Sequence, residues 1–346
     1  MNHFTRIAQA VVLSALLVNG SHVEAGNCSA ACDGIGCGHC DIPNTCTGCQ
    51  SDCGNTCGCN PCAEPLWTAS ANVLFLHRST PSSRILAFNT VRPEEHLNAN
   101  AFDFGTQAGL ELSITRRIGR NNAVELRYFG DDGWDAAFAG ATTPNELWQL
   151  NSDPPVFVTS GDGIAAILDS KLHNAEINLT HEYSDWFDLL VGFRYVELDE
   201  RGIASLVNAA VPFTYALATH NRLYGAQFGA RSWLWSNDFV TVDATGKAGI
   251  YGSHSNHGAL ATTNAATVVA AGTDDDTAFL GELRFNGKAC LTECLSIRGG
   301  YQLMWIDGVA LATDQLANTD FNAGSGINTS GDVFYHGAFV GIELAH

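Results

Sequence analysis

The chain has 346 residues, with 17 Lys and Arg against 36 Asp and Glu, a formal net charge of −19, only 15% charged residues and a mean hydropathy of +0.02. The acid excess argues against a nucleic-acid partner, because phosphate binding needs a basic face. The low charge and 35 Gly fit an ordinary soluble enzyme poorly, and beyond the N-terminus no apolar run reaches the ~18 residues of a membrane helix.

In chain order, residues 1–25 read as a signal peptide. Arg6 gives the positive start, Ala8 to Val18 the apolar stretch, and Val23-Glu24-Ala25 a small-residue cleavage site before Gly26. The alternative, a membrane anchor, lacks both length and a stop-transfer pattern. The mature chain is therefore expected outside the cytoplasm.

Residues 26–65 form a Cys-rich segment holding Cys28, Cys32, Cys37, Cys40, Cys46, Cys49, Cys53, Cys57, Cys59 and Cys62. It has almost no large apolar side chain, so disulfides are its expected stabiliser in an exported protein. A zinc knuckle is the competing reading of Cys37-x2-Cys40 and Cys46-x2-Cys49, but five residues separate the pairs where roughly 12–20 are usual.

From Leu66 to His346 the pattern changes to period two, the mark of strands with unlike faces. In Asp238 to Tyr251, for instance, Val240, Val242, Ala244, Ala248 and Ile250 alternate with Thr241, Asp243, Thr245 and Lys247. Ten such segments are expected near 66–77, 101–117, 122–130, 171–183, 188–199, 220–233, 238–252, 277–287, 295–305 and 332–344, with twelve strands as the alternative. The connections alternate between short and long, which is how an outer-membrane barrel sorts periplasmic turns from extracellular loops. Aromatic residues cluster at both strand ends, Trp67, Trp186 and Trp235 at one, Tyr195, Tyr224, Tyr251, Trp305 and Tyr335 at the other, as two interfacial girdles require. The fold class is thus all-β, a transmembrane antiparallel β-barrel with short periplasmic turns and long extracellular loops. Closure follows from the need to pair every backbone polar group in hydrocarbon.

The runs Leu189-Leu190-Val191-Gly192-Phe193-Arg194-Tyr195, Asn221-Arg222-Leu223-Tyr224-Gly225-Ala226-Gln227-Phe228-Gly229, Gly246-Lys247-Ala248-Gly249-Ile250-Tyr251 and Gly300-Tyr301-Gln302-Leu303-Met304-Trp305 resemble the putative beta-barrel porin family seven of bacterial outer membranes. The resemblance covers about residues 66–346. It implies an outer-membrane barrel with a porin role and brings no catalytic residues. The Cys-rich segment lies outside it.

Alternation points Glu111, Glu125, Glu176, Asp243 and Glu282 into the lumen with Arg127, Arg194, Lys247, Arg284 and Arg298, a near balance. Ten strands lie near the size that side chains can fill, so these charges are expected to cross-link a narrow or blocked passage. The acid excess then sits in the loops, at Asp131, Asp132 and Asp135 in 131–170 and at Asp274, Asp275 and Asp276, giving an acidic extracellular mouth that favours cations.

The leading function is porin-like permeability. The alternatives are a structural or surface-interaction protein anchored by the barrel and cross-linked through its cysteines, and an outer-membrane enzyme. The enzyme reading lacks a Gly-x-Ser-x-Gly elbow, a phosphate loop and a His-Glu-x-x-His pair, leaving only His220, His254, His257 and His336 as bases near loop acids. No catalysis, cofactor or resident metal is expected. His254-x2-His257 with Asp274 to Asp276 is the candidate cation site, weighed against a solvated acidic loop. Expected partners are outer-membrane lipid, small solutes or divalent cations, and disulfide-linked envelope proteins. Cys290 and Cys294 flank a short turn on the periplasmic side, where cross-strand spacing suits a bridge between them.

Overall fold

The computed structural model describes residues 65–346 apart from Asp238, Ala265 and Glu293. The signal-peptide and Cys-rich readings, with Cys28, Cys32, Cys37, Cys40, Cys46, Cys49, Cys53, Cys57, Cys59 and Cys62, lie outside the described residues.

The ten alternating segments become ten long antiparallel strands. They are β1 (Trp67–Arg78), β4 (Thr106–Arg117), β5 (Asn122–Ala141), β8 (Gly163–Ser184), β9 (Phe187–Val207), β10 (Phe213–Ser236), β11 (Val240–Thr263), β12 (Thr267–Cys290), β13 (Leu295–Val309) and β14 (Gly331–Ala345). Consecutive barrel strands are neighbours, and β1 pairs with both β4 and β14, so the sheet closes on itself. The first and last strands begin and end together, with the Trp67 amide donating to the His346 carbonyl at 2.8 Å. Four further strands, β2 (Ile85–Asn89), β3 (His96–Asn98), β6 (Leu147–Leu150) and β7 (Val156–Thr159), form a separate sheet in the order β3-β2-β6-β7, built from the β1–β4 and β5–β8 connections.

Period-two alternation fixes which side chains line the barrel. On β11, Thr241, Asp243, Thr245, Lys247, Tyr251, Ser253 and His257 are buried inside, while Ile250 is 69% exposed on the outer wall. Gly105 (φ +61°) sits just before β4 and lets Phe102 and Phe104 tuck inside while Ala108 and Leu110 face outward.

Three expectations are corrected. First, the strands run well past the ~9–11 residues that a bilayer needs, because pairing continues beyond the apolar band. The 200–219 and 253–276 connections are therefore mostly strand: β9 reaches β10 through 208–212, and β11 reaches β12 through 264–266. Asp131, Asp132 and Asp135 belong to β5, and Asp274, Asp275 and Asp276 to β12, instead of to loops. Second, the aromatics at the long-connection end divide by parity. Tyr224 and Trp305 face outward, but Phe104, Phe129, Tyr251 and Tyr335 are almost wholly buried inside with Leu74, Leu172, Leu198, Leu223 and Leu280. An apolar cluster fills that half of the lumen. Third, Cys290 and Cys294 are not joined. The hairpin register sets Cys290 opposite Ser296, whose hydroxyl lies 3.7 Å from Cys290 Sγ, and leaves Cys294 beyond the ladder.

Candidate functional site

The lumen is layered. At the short-turn end an open vestibule of about 480 Å³ is lined by polar side chains, among them Thr115, Glu125, Arg231, Asp243, Arg298 and Glu343. Its inner limit is a belt of charges. Arg127 on β5 donates to Glu111 on β4 at 2.6 Å, to Glu176 on β8 at 2.8 Å and to Glu282 on β12 at 2.7 Å. Arg194 on β9 reaches Glu176 at 2.9 Å and Glu282 at 2.5 Å. Lys247 on β11 meets Glu176 at 3.0 Å, and Arg284 on β12 meets Glu111 at 2.5 Å. The Asn72 and Gln227 amides donate hydrogen bonds to Glu111 and Glu176, and the Gln302 amide oxygen accepts one from Arg127.

All seven charged residues are buried. Each carboxylate meets at least two cations, which is what compensates the desolvation of buried charge. The other inward charges stand apart in the vestibule. Arg231 lies at 3.8 Å from Glu125 and 4.0 Å from Asp243, and Arg298 pairs with Glu343 at 3.0 Å.

Beyond the apolar core the β13–β14 connection turns into the barrel. Ala310, Leu311, the short helix Ala312–Gln315 and Thr319 are buried. Asn221 on β10 holds this segment by both backbone groups of Ala310, accepting from the amide at 2.7 Å and donating to the carbonyl at 2.9 Å. Glu200, itself paired with Arg78 on β1, accepts from the Ala312 amide at 2.7 Å. His257 Nε2 meets Thr319 Oγ1 at 3.1 Å, and Arg84 meets Asp314 at 3.3 Å. Burial raises the Asp314 carboxyl above its ordinary range and lowers the His257 imidazole below its own. This inward turn carries no periodic signal, and its run of small and apolar residues, Val309-Ala310-Leu311-Ala312, is the only trace of it in the sequence.

The acids assigned to the mouth do not act as one group. Asp131 is buried, Asp135 is exposed opposite Asp169, Asp274 and Asp276 contact Thr329, and Asp275 pairs with His254 at 2.6 Å. His254 and His257 sit on opposite faces of β11, so they cannot share an ion as the sequence spacing suggested. His336 contacts Tyr301 at 2.6 Å, on another part of the wall.

The family model of putative beta barrel porin-7 matches residues 156–330. The chain belongs to this family. Within porin-7, the match takes in Glu176, Arg194, Lys247, Glu282 and Arg284 of the belt and the whole in-turned segment, while Glu111 and Arg127 precede it. No curated protein matches by sequence. Among solved structures, the outer membrane protease OmpT from Escherichia coli is similar at TM-score 0.48 and 9% identity, covering 81% of this chain and 96% of that one. The translocator domain of the autotransporter NalP from Neisseria meningitidis follows at 0.40 and 10%, covering 84% and 91%. The Pseudomonas putida toluene transporter TodX gives 0.32 and 8%, covering 80% and 89%. Likeness at this level carries nothing about substrate or activity.

Proposed function

We propose that this porin-7 protein is an outer-membrane barrel, porin-like in architecture, whose passage is closed at rest. The apolar outer wall would face lipid, the vestibule would open to the periplasm, and the extended strands would stand outside the cell. The observation that carries this reading is Arg127, which binds acids from three strands and so bars the lumen between vestibule and apolar core. Export by the N-terminal signal peptide and oxidation of the Cys-rich segment complete the proposal. It includes no catalysis: His257 faces the lumen while His220, His254 and His336 face outward, each with its own neighbours.

Transport through such a barrel needs the charge belt or the in-turned segment to move. Small cations are the favoured solutes, because Asp274 and Asp276 lie exposed at the outer opening. A second reading is a structural anchor that exposes its separate β3-β2-β6-β7 sheet to partners, and the filled lumen favours it equally.

Conductance in planar bilayers separates the two. For the closed porin, wild type gives rare, small steps, and Arg127→Ser with Lys247→Ser gives frequent larger ones. A large steady wild-type conductance rejects the closed lumen. Silence from both proteins favours the anchor.

A further inference from the structure

On the outer wall, β9 presents Glu197 and Asp199 two residues apart on one face, and β10 places His220 directly opposite Asp199 in the ladder. Directly paired side chains start about 4.5–5.5 Å apart at Cβ, so three donors converge with no loop to order. One donor atom from each residue lies within 4.8 Å of the other two. His220 Nε2 stands 3.6 Å from Glu197 Oε1, and His220 Nδ1 contacts the Asp199 carboxylate. We propose that His220 and Glu197, with Asp199 orienting the imidazole, bind a divalent first-row metal ion of the Zn²⁺ type.

The chemistry of the set favours this ion. An imidazole nitrogen and a carboxylate oxygen suit Zn²⁺, bound at about 2.0–2.2 Å with the remaining positions left for water. Two such donors around a tetrahedral centre are roughly 3.3 Å apart, close to the His220–Glu197 separation. The imidazole is also unfinished as an ion-pair partner. His220 Nε2 is shielded from water and has no hydrogen-bond partner. Its distance to Glu197 is too long for a normal N–H···O bond.

The two carboxylates have no Lys or Arg ion pair among the described residues, although Arg222 lies opposite Glu197 and Lys171 opposite Asp199. A metal ion on Nε2 would satisfy the bare nitrogen and Glu197 together, while Asp199 on the Nδ1 side orients the ring. The set sits just beyond the Tyr195–Tyr224 pair of the same ladder, outside the apolar band and within reach of solution. Calcium is a poor match, because it takes six to eight oxygen ligands and avoids imidazole.

The test uses the full chain in detergent, stripped with chelator and with all thiols alkylated so that cysteine cannot compete. Zn²⁺ is titrated calorimetrically, and Co²⁺ serves as the visible probe. The expected result is one tight site, absorption bands typical of nitrogen and oxygen ligands, and displacement by Zn²⁺ but not by Ca²⁺. His220→Ala and Glu197→Gln should each weaken binding at least ~10-fold, with heat-modifiable gel migration confirming that the barrel has folded. His254→Ala, which alters the separate His254–Asp275 pair, should change nothing. Absence of a stoichiometric site, or a site indifferent to His220→Ala and Glu197→Gln, overturns the proposal.

Discussion

Arg127 and Glu282 meet at 2.7 Å from β5 and β12, which stand five places apart in the ring of ten strands and so on opposite walls. A contact of this kind spans the full lumen. It works as a strut between walls that share no backbone hydrogen bond. It also fills the passage, because the guanidinium stacks on Phe129 at 4.8 Å and leaves the apolar core directly behind it. One side chain therefore ties stability to closure.

Removing that strut should weaken the barrel. Arg127→Met keeps the volume but leaves Glu111, Glu176 and Glu282 with one cationic partner fewer each. Loss of one member of a buried charge network costs about 3–5 kcal/mol. The denaturant midpoint in liposomes, read by tryptophan fluorescence, should fall accordingly. An unchanged midpoint would mean that Arg127 is dispensable to the belt.

The two faces of the wall should respond differently to charge. Leu110 is 44% exposed on the outer wall, so Leu110→Arg puts a cation into lipid at a cost of about 2–4 kcal/mol near the midplane. Thr241 lines the open vestibule, and Thr241→Arg should insert normally. Glu111→Gln differs from both. It is inward-facing, yet it leaves Arg127 and Arg284 short of a partner and should destabilise as an outer-wall charge does. Yields of heat-modifiable protein after refolding into vesicles provide the comparison. Equal yields for Leu110→Arg and Thr241→Arg would contradict the assigned faces.

The barrel itself was legible in the sequence because period two has a single reading once ten segments repeat it. Which face of each strand points inward was legible for the same reason, as at Asp243 and Lys247 against Val242 and Ala244. What the belt charges do to one another was not. Glu111 and Arg284 are 173 positions apart in sequence, and alternation says nothing about length or direction across a lumen. Strand ends were misplaced where the outer face turns polar above the membrane, as at Asp274 to Asp276, since pairing there needs no apolar signal. The Glu197–Asp199–His220 set was hidden because a residue opposite in a ladder is known only once the register is known.

The in-turned segment should depend on Asn221. Its amide group closes both backbone groups of Ala310 and also accepts from Ser255 at 2.8 Å. Asn221→Leu fills similar space but leaves a buried amide and a buried carbonyl unpaired, at about 1–3 kcal/mol each. Hydrogen exchange in residues 310–319 should quicken by ten-fold or more while that of β11 and β12 stays slow. Equal acceleration throughout would mean that Asn221 supports the barrel and not the segment.

Acid should loosen the same segment through His257. This residue lies on the inner face of β11 beyond the apolar band, against Thr319, and burial holds its pKa below the ordinary value of about 6.5. A depressed histidine pKa means that the packed state disfavours the imidazolium. The stabilisation is therefore complete above about pH 6.5 and is lost as pH falls below it toward the packed-state value. Asp314 acts with the opposite sign. Burial raises its pKa, so its packed state takes up a proton more readily, in a window that begins near the ordinary carboxylate value of about 3.8. The two groups act in opposite directions, and a variant of the histidine separates them. Through His257, exchange in residues 310–319, corrected for intrinsic chemical rates, should speed up as pH falls from 7 to 5.5. His257→Gln keeps a hydrogen-bonding side chain without the titration and should flatten the pH dependence. Persistence of the full acid effect in His257→Gln would assign it to another group.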